Sequence, residues 1–415
     1  MQERRRAASA WTVVAAAAAL LAVTMGTRVS LGLFIGPING ATSIGLATLS
    51  LALGTSQLAW GAAQPVASLA AARYGVAPVV LAGGIASAAA LAALAAAADT
   101  AAVGAALLLF GAAGAAAGSA PLLMGVVAAR VSAQRRGVAL GLVGAGGSAG
   151  QFLLAPVVTA ALPLLGWQGA LLALAVLALA ATPLARALRP APTHADERRA
   201  PATAPQASAW RTALRSRAFW LITAGFGVCG FHVSFLTTHM PGVIELCGLP
   251  PTLSGAWLAV VGACNIAGSL ASGWLSQRLP MARLLTALYA LRAAGVALFL
   301  LLPPGPTVLL GFALWMGLTY MATLPPTTGL IASRYGTQSV AALFGIAMAV
   351  HQIGSFLGTW LGGLEVEWTG TYRWIWIADM LLAGIAAALH LPLRDRVADA
   401  PRGTAGVGAT RSAPA

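Results

Sequence analysis

The 415 residues are 59% hydrophobic and only 8% charged, with a formal net charge of +14. A soluble domain carries about 25% charged residues, so a water-soluble globular chain is excluded. Continuous Ala/Leu/Gly-rich runs of roughly 20 residues also exclude the alternating strands of a membrane barrel, and leave helices that cross a hydrocarbon layer of about 30 Å.

In chain order, "MQERRRAASAWTVVAAAAALLAVTM" has the charge layout of a signal peptide. Its apolar stretch runs past signal length, so a retained first helix is expected. With it the chain holds twelve apolar runs, near 11–38, 45–72, 76–98, 101–130, 136–161, 167–189, 218–240, 252–277, 281–303, 306–333, 340–364 and 371–392. All 24 basic residues are arginine, and with the N-terminus inside only Arg28, Arg292 and Arg373 fall outside cytoplasmic segments. The positive-inside rule then places both termini in the cytoplasm of a multi-pass protein of the inner membrane. The positive charge is thus a topology signal rather than a nucleic-acid one. Cys229, Cys247 and Cys264 lack metal-type spacing and read as small core residues. No metal or other cofactor is expected.

The stretch "RALRPAPTHADERRAPATAPQASAWRTALRSR", 186–217, divides the runs six and six. The expected organisation is a bundle over 1–189, a cytoplasmic linker over 190–217, a second bundle over 218–394 and a disordered tail over 395–415. The halves repeat. "RVSLGLFIGP" faces "HVSFLTTHMP", with Pro37 and Pro241 204 positions apart; "SAP" at 119–121 faces "TLP" at 323–325 with the same offset. Gly141, Gly150, Phe152 and Leu153 meet Gly345, Gly354, Phe356 and Leu357. Parallel six-helix repeats are a transporter architecture. The glycine face of the fifth run suits either close packing within one half or a sliding contact between halves.

The chain resembles the major facilitator superfamily. The likeness rests on the six-loop-six layout, on "PVASLAAARYG" and "GWLSQRLPMAR" after the second and eighth runs, and on the glycine-rich fifth run. Arg73 and Gly75, then Gly273, Leu275, Arg278 and Arg283, fit the family's loop motif, which marks Arg73 and Arg278 as gating-loop residues. Ala72 and Gln277 stand where its acid is usual. More narrowly, "RVSLGLFIGP" and "NIAGSLASGWLS" are similar to the monocarboxylate and oxalate:formate transporter branch. Ser269 stands where that branch carries an anion-binding arginine. The resemblance implies an all-α polytopic protein of two pseudo-symmetric six-helix bundles that moves a small molecule by alternating access.

A charge in the membrane costs a few kcal/mol and calls for a partner or a role. Arg28 lies roughly 25 Å along a first helix that enters near Trp11. Two readings stand: the side chain snorkels to the external interface, or it faces the cavity and holds an anion with its planar fork of donors. His232 occupies the matching place in the repeat. Gln57, Trp60 and Gln64 share one face of the second helix. With Asn265, Tyr320, His351 and Gln352 they are either helix-packing groups or substrate contacts. Of ten acids only Asp379 is intramembrane, and a structural ion pair with Arg292 is expected.

No phosphate-binding loop occurs, and without lysine none of the usual type can form. No triad, metal cluster or carboxylate pair suggests an enzyme. The expected function is gradient-driven transport of a small, monocarboxylate-like organic anion, by a monomer. Arg28, Gln57, Trp60, Asn265, Tyr320 and Gln352 are its expected substrate contacts, and His232, His351 and His239 its proton carriers. The alternative is export of drugs or other hydrophobic solutes, for which a cavity acid would be wanted; a receptor or assembly protein would have little use for two equivalent halves.

Overall fold

A computed structural model describes residues 2–189 and 207–393; the expected tail over 395–415 and most of the linker, 190–206, lie outside the described residues. The described residues form fifteen α-helices: α1 (Gln2–Ser30), α2 (Ile35–Thr42), α3 (Leu46–Tyr74), α4 (Val76–Ala96), α5 (Thr100–Gly118), α6 (Ala120–Ala128), α7 (Ala133–Ala181), α8 (Ala207–Arg215), α9 (Arg217–Leu246), α10 (Thr252–Leu275), α11 (Met281–Leu301), α12 (Pro306–Thr319), α13 (Leu324–Tyr335), α14 (Val340–Thr369) and α15 (Arg373–His390). Among these residues there is no strand.

Ten stretches are long and apolar enough to cross a membrane. One of them, Gln134–Leu188, is two crossings, because Gly166 adopts φ 68°, ψ 172° and turns the chain inside α7. A left-handed φ of this kind suits glycine. The 29-residue α3 adds the twelfth leg; Gln57, Gln64 and Arg73 lower its hydropathy. The first leg is α1, a tight turn over Leu31–Phe34, and α2. The fourth leg is α5 with α6, and the tenth is α12 with α13.

The fourth and tenth legs break at matching prolines. Pro121 stands in the first turn of α6, and Pro325 and Pro326 in the first turn of α13. Proline has no N–H to give and its ring clashes with the carbonyl four residues back, so it starts a helix well and cannot continue one.

Glycine sets the packing within each bundle. α1 crosses α7 where Gly26 meets the Gly150 backbone and Gly150 meets Ala22; α9 crosses α14 where Gly230 meets His351 and Gly354 meets Gly227. Gly26 and Gly230, like Gly150 and Gly354, are 204 residues apart. A Cβ at any of them would enter the facing backbone. With no water to expel between helices in lipid, close backbone approach supplies much of the attraction. Gly141 and Gly345 have no atom within 4 Å of a Cβ placed there, so the face they share with Gly150 and Gly354 is tight only along part of its length.

Across the halves, α3 packs on α14 and α7 on α10. The hydrogen bonds that join them start near the loops at 43–45 and 370–372. There Glu367 on α14 accepts from the Ala47 amide at 2.8 Å and caps α3 from the opposite half. They continue to mid-depth, with Gln151 Nε2 donating to Leu258 O at 3.1 Å, Gln352 Nε2 to Gln57 O at 3.0 Å and Asn265 Nδ2 to Ser148 Oγ at 2.8 Å. Arg73 and Arg278 sit exposed near the other end, against Tyr74 and Trp274 of their own halves.

This packing separates two classes of glycine substitution. Gly150→Val and Gly354→Val force a branched side chain into backbone and are expected to cost about 1–3 kcal/mol. Gly141→Val and Gly345→Val stay within about 0.5 kcal/mol of the parent. Thermal midpoints of the purified variants in detergent check this, and equal losses in both classes would contradict the crossing geometry.

Candidate substrate site

Arg28 lies in the last turn of α1. Its guanidinium does not follow its own helix toward an interface. It lies over the Trp60 ring of α3, 3.9 Å from the centroid. Arginine stacks on an indole face through the ring quadrupole and keeps the edges of its fork free. One terminal nitrogen, Nη1, is buried with no hydrogen-bond partner. On the α3 helix that carries Trp60, Gln57 Oε1 and Gln64 Nε2 are also buried without partners. Spacings of three and seven residues put Gln57, Trp60 and Gln64 on one face of α3. The arrangement is a cation with neighbouring unpaired amides, in a medium where an unmade hydrogen bond costs about 1–3 kcal/mol.

The opposite half supplies the facing wall. Tyr320, 5% exposed, lies between α12 and α13, where its phenol interacts with Thr237 of α9 and feels Arg28. Gln352 is pressed against Gly61, bonds to the Gln57 carbonyl, and holds His351 Nδ1 with its Oε1 at 3.1 Å. His351 also packs on Phe226, with ring centroids 4.7 Å apart. Arg28, Gln57, Trp60, Tyr320 and Gln352 therefore gather at the level where the halves part.

Asn265 is at the same level but its amide is occupied. It donates to Ser148 Oγ on α7, and its Oδ1 accepts from the Met321 amide at 3.0 Å and from Ser269 Oγ at 3.3 Å. In this state it is a bridge between the halves rather than a free ligand. His239 is set apart, near the joined end: Nε2 lies 2.7 Å from Thr359 O and Nδ1 3.4 Å from the Tyr372 hydroxyl. Among the described residues no group of three His, Cys, Asp or Glu side chains could hold a metal.

The expected Arg292–Asp379 ion pair is not formed. Asp379 Oδ2 lies 2.7 Å from His232 Nδ1, with both side chains almost fully buried. Arg292, fully buried on α11, donates from Nη2 to the carbonyls of Thr319 and Tyr320. It remains in the electrostatic field of Asp379 without touching it. The reason is the broken tenth leg. The backbone turn before Pro325 and Pro326 releases carbonyls close to α11, and they take the guanidinium; the carboxylate takes the imidazole from α9, which packs beside α15. The His232–Asp379 pair escapes sequence reading because 147 residues separate its members and no spacing rule links them.

Removing one partner of a buried pair is costly, about 3–5 kcal/mol, whereas an apolar replacement of both is far milder. Asp379→Leu and His232→Leu are each expected to lower the thermal midpoint sharply. The double variant should lie closer to the parent than either single one. Additive losses in this cycle would contradict the pairing.

Comparison with known proteins bears on the family and the fold. The family model described as the Major Facilitator Superfamily matches residues 10–359. An uncharacterized MFS-type transporter of Bacillus subtilis (strain 168) is 28% identical over 270 residues, 63% of this chain and 65% of its own length, so the chain spans just under two thirds of that relative. Monocarboxylate transporter 11 of Mus musculus is 30% identical over 356 residues, 83% of this chain and 77% of its own length. Monocarboxylate transporter 13 of Bos taurus is 26% identical over 334 residues, 79% of this chain and 76% of its own. Among solved structures, an inward-facing, unoccupied bacterial homolog of the human lysosomal transporter Spinster superposes with a TM-score of 0.73 at 15% identity, covering 92% of this chain and 96% of its own. A D-xylose–proton symporter gives 0.72 at 13% identity, covering 92% and 97%. The chain belongs to the Major Facilitator Superfamily: it is a multi-pass membrane transporter, not an enzyme.

Proposed function

We propose that the protein carries a small organic anion of monocarboxylate type across the cytoplasmic membrane by alternating access. The observation that carries this reading is the Arg28 guanidinium, held over Trp60 with a buried nitrogen left unpaired. A carboxylate satisfies that geometry, because its two oxygens match the planar fork and its charge offsets the buried cation. Gln57 adds an amide group, Trp60 the apolar wall, and Tyr320 a phenol from the other half; Gln352 joins them when its bonds to Gln57 O and His351 are released. Asn265 joins this set in states where its bridge to Ser148 is released. The names of the mammalian relatives point to the same substrate class.

The two halves, 1–189 and 218–394, act as rocking bundles around the site. Their hydrogen bonds lie from the Ala47–Glu367 cap to mid-depth. With the arginine-rich segments in the cytoplasm, the joined end faces outside and this state admits substrate from within. Arg73 and Arg278 lie on the loops that would approach one another when the cytoplasmic side closes. No acid lines the anion site, so a co-transported proton would ride on the substrate or on an imidazole, His232, His351 or His239.

Proteoliposome counterflow of labelled L-lactate and pyruvate tests the substrate class. Wild type should exchange at least one of them, Arg28→Lys should raise the half-saturating concentration about tenfold or more through loss of the bidentate fork, and Arg28→Ala should abolish exchange while remaining folded. Full activity of Arg28→Ala, with neutral or cationic solutes as the preferred cargo, would defeat the reading in favour of a drug or hydrophobic-solute exporter.

Coupling is read from the same preparations. If protons drive accumulation, Gln substitution at the carrier histidine, tested at His232, His351 and His239 in turn, should leave exchange intact and remove uptake driven by a pH gradient. Unchanged pH-driven uptake in all three variants would assign the proton to the substrate or leave anion exchange as the mode.

A further inference from the structure

The segment Tyr320–Thr323 is non-helical backbone in the middle of a membrane-spanning leg. Such backbone is tolerated at membrane depth only where protein groups satisfy it. Here each residue is held by a different donor or acceptor. The Thr319 and Tyr320 carbonyls accept from Arg292 of α11. The Met321 amide donates to Asn265 Oδ1 at 3.0 Å, and the Met321 carbonyl accepts from the Leu324 amide at 3.0 Å. The Ala322 carbonyl accepts from Ser272 of α10, and Thr323 Oγ1 lies 3.4 Å from Cys229 Sγ on α9. Three helices thus converge on one broken turn.

That turn carries Tyr320, the residue through which this half faces Arg28. Arg292 is the only charged member of the set. It is fully buried, and Nη2 alone donates to the two carbonyls while Nε and Nη1 make no hydrogen bond. A cation at a helix C-terminus also suits the dipole of α12. The hydrogen bonds of Arg292 go to the backbone of the turn and not to the side chains of Arg28, Gln57, Trp60 or Gln352.

We infer that Arg292 is a positioning residue for transport: by clamping the Thr319 and Tyr320 carbonyls it holds the broken turn in shape and fixes the Tyr320 phenol opposite Arg28. Its effect on substrate passes through Tyr320. This goes beyond a purely structural ion pair; its effect on transport rests on the anion-site reading, while the clamp on the turn stands without it.

The test uses the full-length protein and two independent readouts. Hydrogen exchange in nanodiscs without substrate follows the amides of 319–324. Arg292→Lys keeps the charge but replaces the planar guanidinium, whose Nη2 reaches both carbonyls, with a shorter ammonium arm, and should speed exchange there about tenfold, with α12 and α13 remaining protected. Ser272→Ala removes an uncharged donor to the same turn and should give a smaller change in the same segment, which secures the test if Arg292→Lys folds poorly. Counterflow of L-lactate then compares Arg292→Lys, Tyr320→Phe and the double variant. The half-saturating concentration should rise in each single variant, maximal exchange should change little, and the double variant should be no worse than Tyr320→Phe. Unaltered exchange at 319–324 in both Arg292→Lys and Ser272→Ala would overturn the clamp. Losses that multiply in the double variant would overturn its action through Tyr320. A wild type that exchanges no lactate counts against the anion reading alone, because the amide data decide the clamp without any substrate.

Discussion

A polar group placed in hydrocarbon has no water to turn to, and this one constraint orders the interior of the protein. Where the helices are unbroken the backbone satisfies itself, and the side chains facing neighbouring helices shrink to glycine at Gly26, Gly150, Gly230 and Gly354. Where the tenth leg breaks at Pro325, the freed carbonyls and amide recruit Arg292, Asn265 and Ser272. Where an acid enters the membrane at Asp379, an imidazole meets it. Among the buried polar atoms left without a partner are Arg28 Nη1 and, on the Trp60 face of α3, Gln57 Oε1 and Gln64 Nε2. A buried guanidinium with an unpaired nitrogen is the one charged member of this face, and a charged solute would complete it.

The same constraint links the site to motion. The hydrogen bonds between the halves are few, and several use the residues that surround the site: Gln352 reaches the Gln57 backbone, and Asn265 joins Ser148 to the broken turn. Binding energy directed at these groups competes with inter-half contacts. A solute that engages Arg28 on one half and the Tyr320–Gln352 wall on the other has differential contacts with the two states, which is the physical requirement for shifting a population. The glycine crossings inside each bundle are backbone on backbone, the stiffness that the proposed rocking of the halves would need.

Much of this was legible in the sequence, for identifiable reasons. Twelve apolar runs needed only length and composition, and the run that fell short of a simple hydropathy test, α3, fell short because it carries Gln57, Gln64 and Arg73, which the site and the gating loop use. The 204-residue offset picked out Gly150 and Gly354 and the matching prolines Pro121 and Pro325, and the structure turns these into crossings and breaks. Arg28 and Trp60 could be named but not joined, since their stacking depends on how α1 rotates against α3. The partner of Asp379 was misassigned for the same kind of reason. Arg292 and His232 both had suitable depth, and only the positions of the freed carbonyls at Thr319 and Tyr320 decide which one the acid receives. Asn265 looked like a ligand because one amide on a cavity helix gives no sign of the Ser148 hydroxyl and Met321 amide that fill it.

The central claim is that the Arg28 guanidinium, with its unpaired buried nitrogen, is complementary to a carboxylate. Calorimetric titration of the purified wild-type protein with L-lactate and with its neutral isostere lactamide addresses it without any transport step. The account predicts saturable binding of lactate and at least about tenfold weaker binding of lactamide, the difference expected when one charge-assisted pair is lost. Equal binding of the two, or tighter binding of the amide, would contradict it.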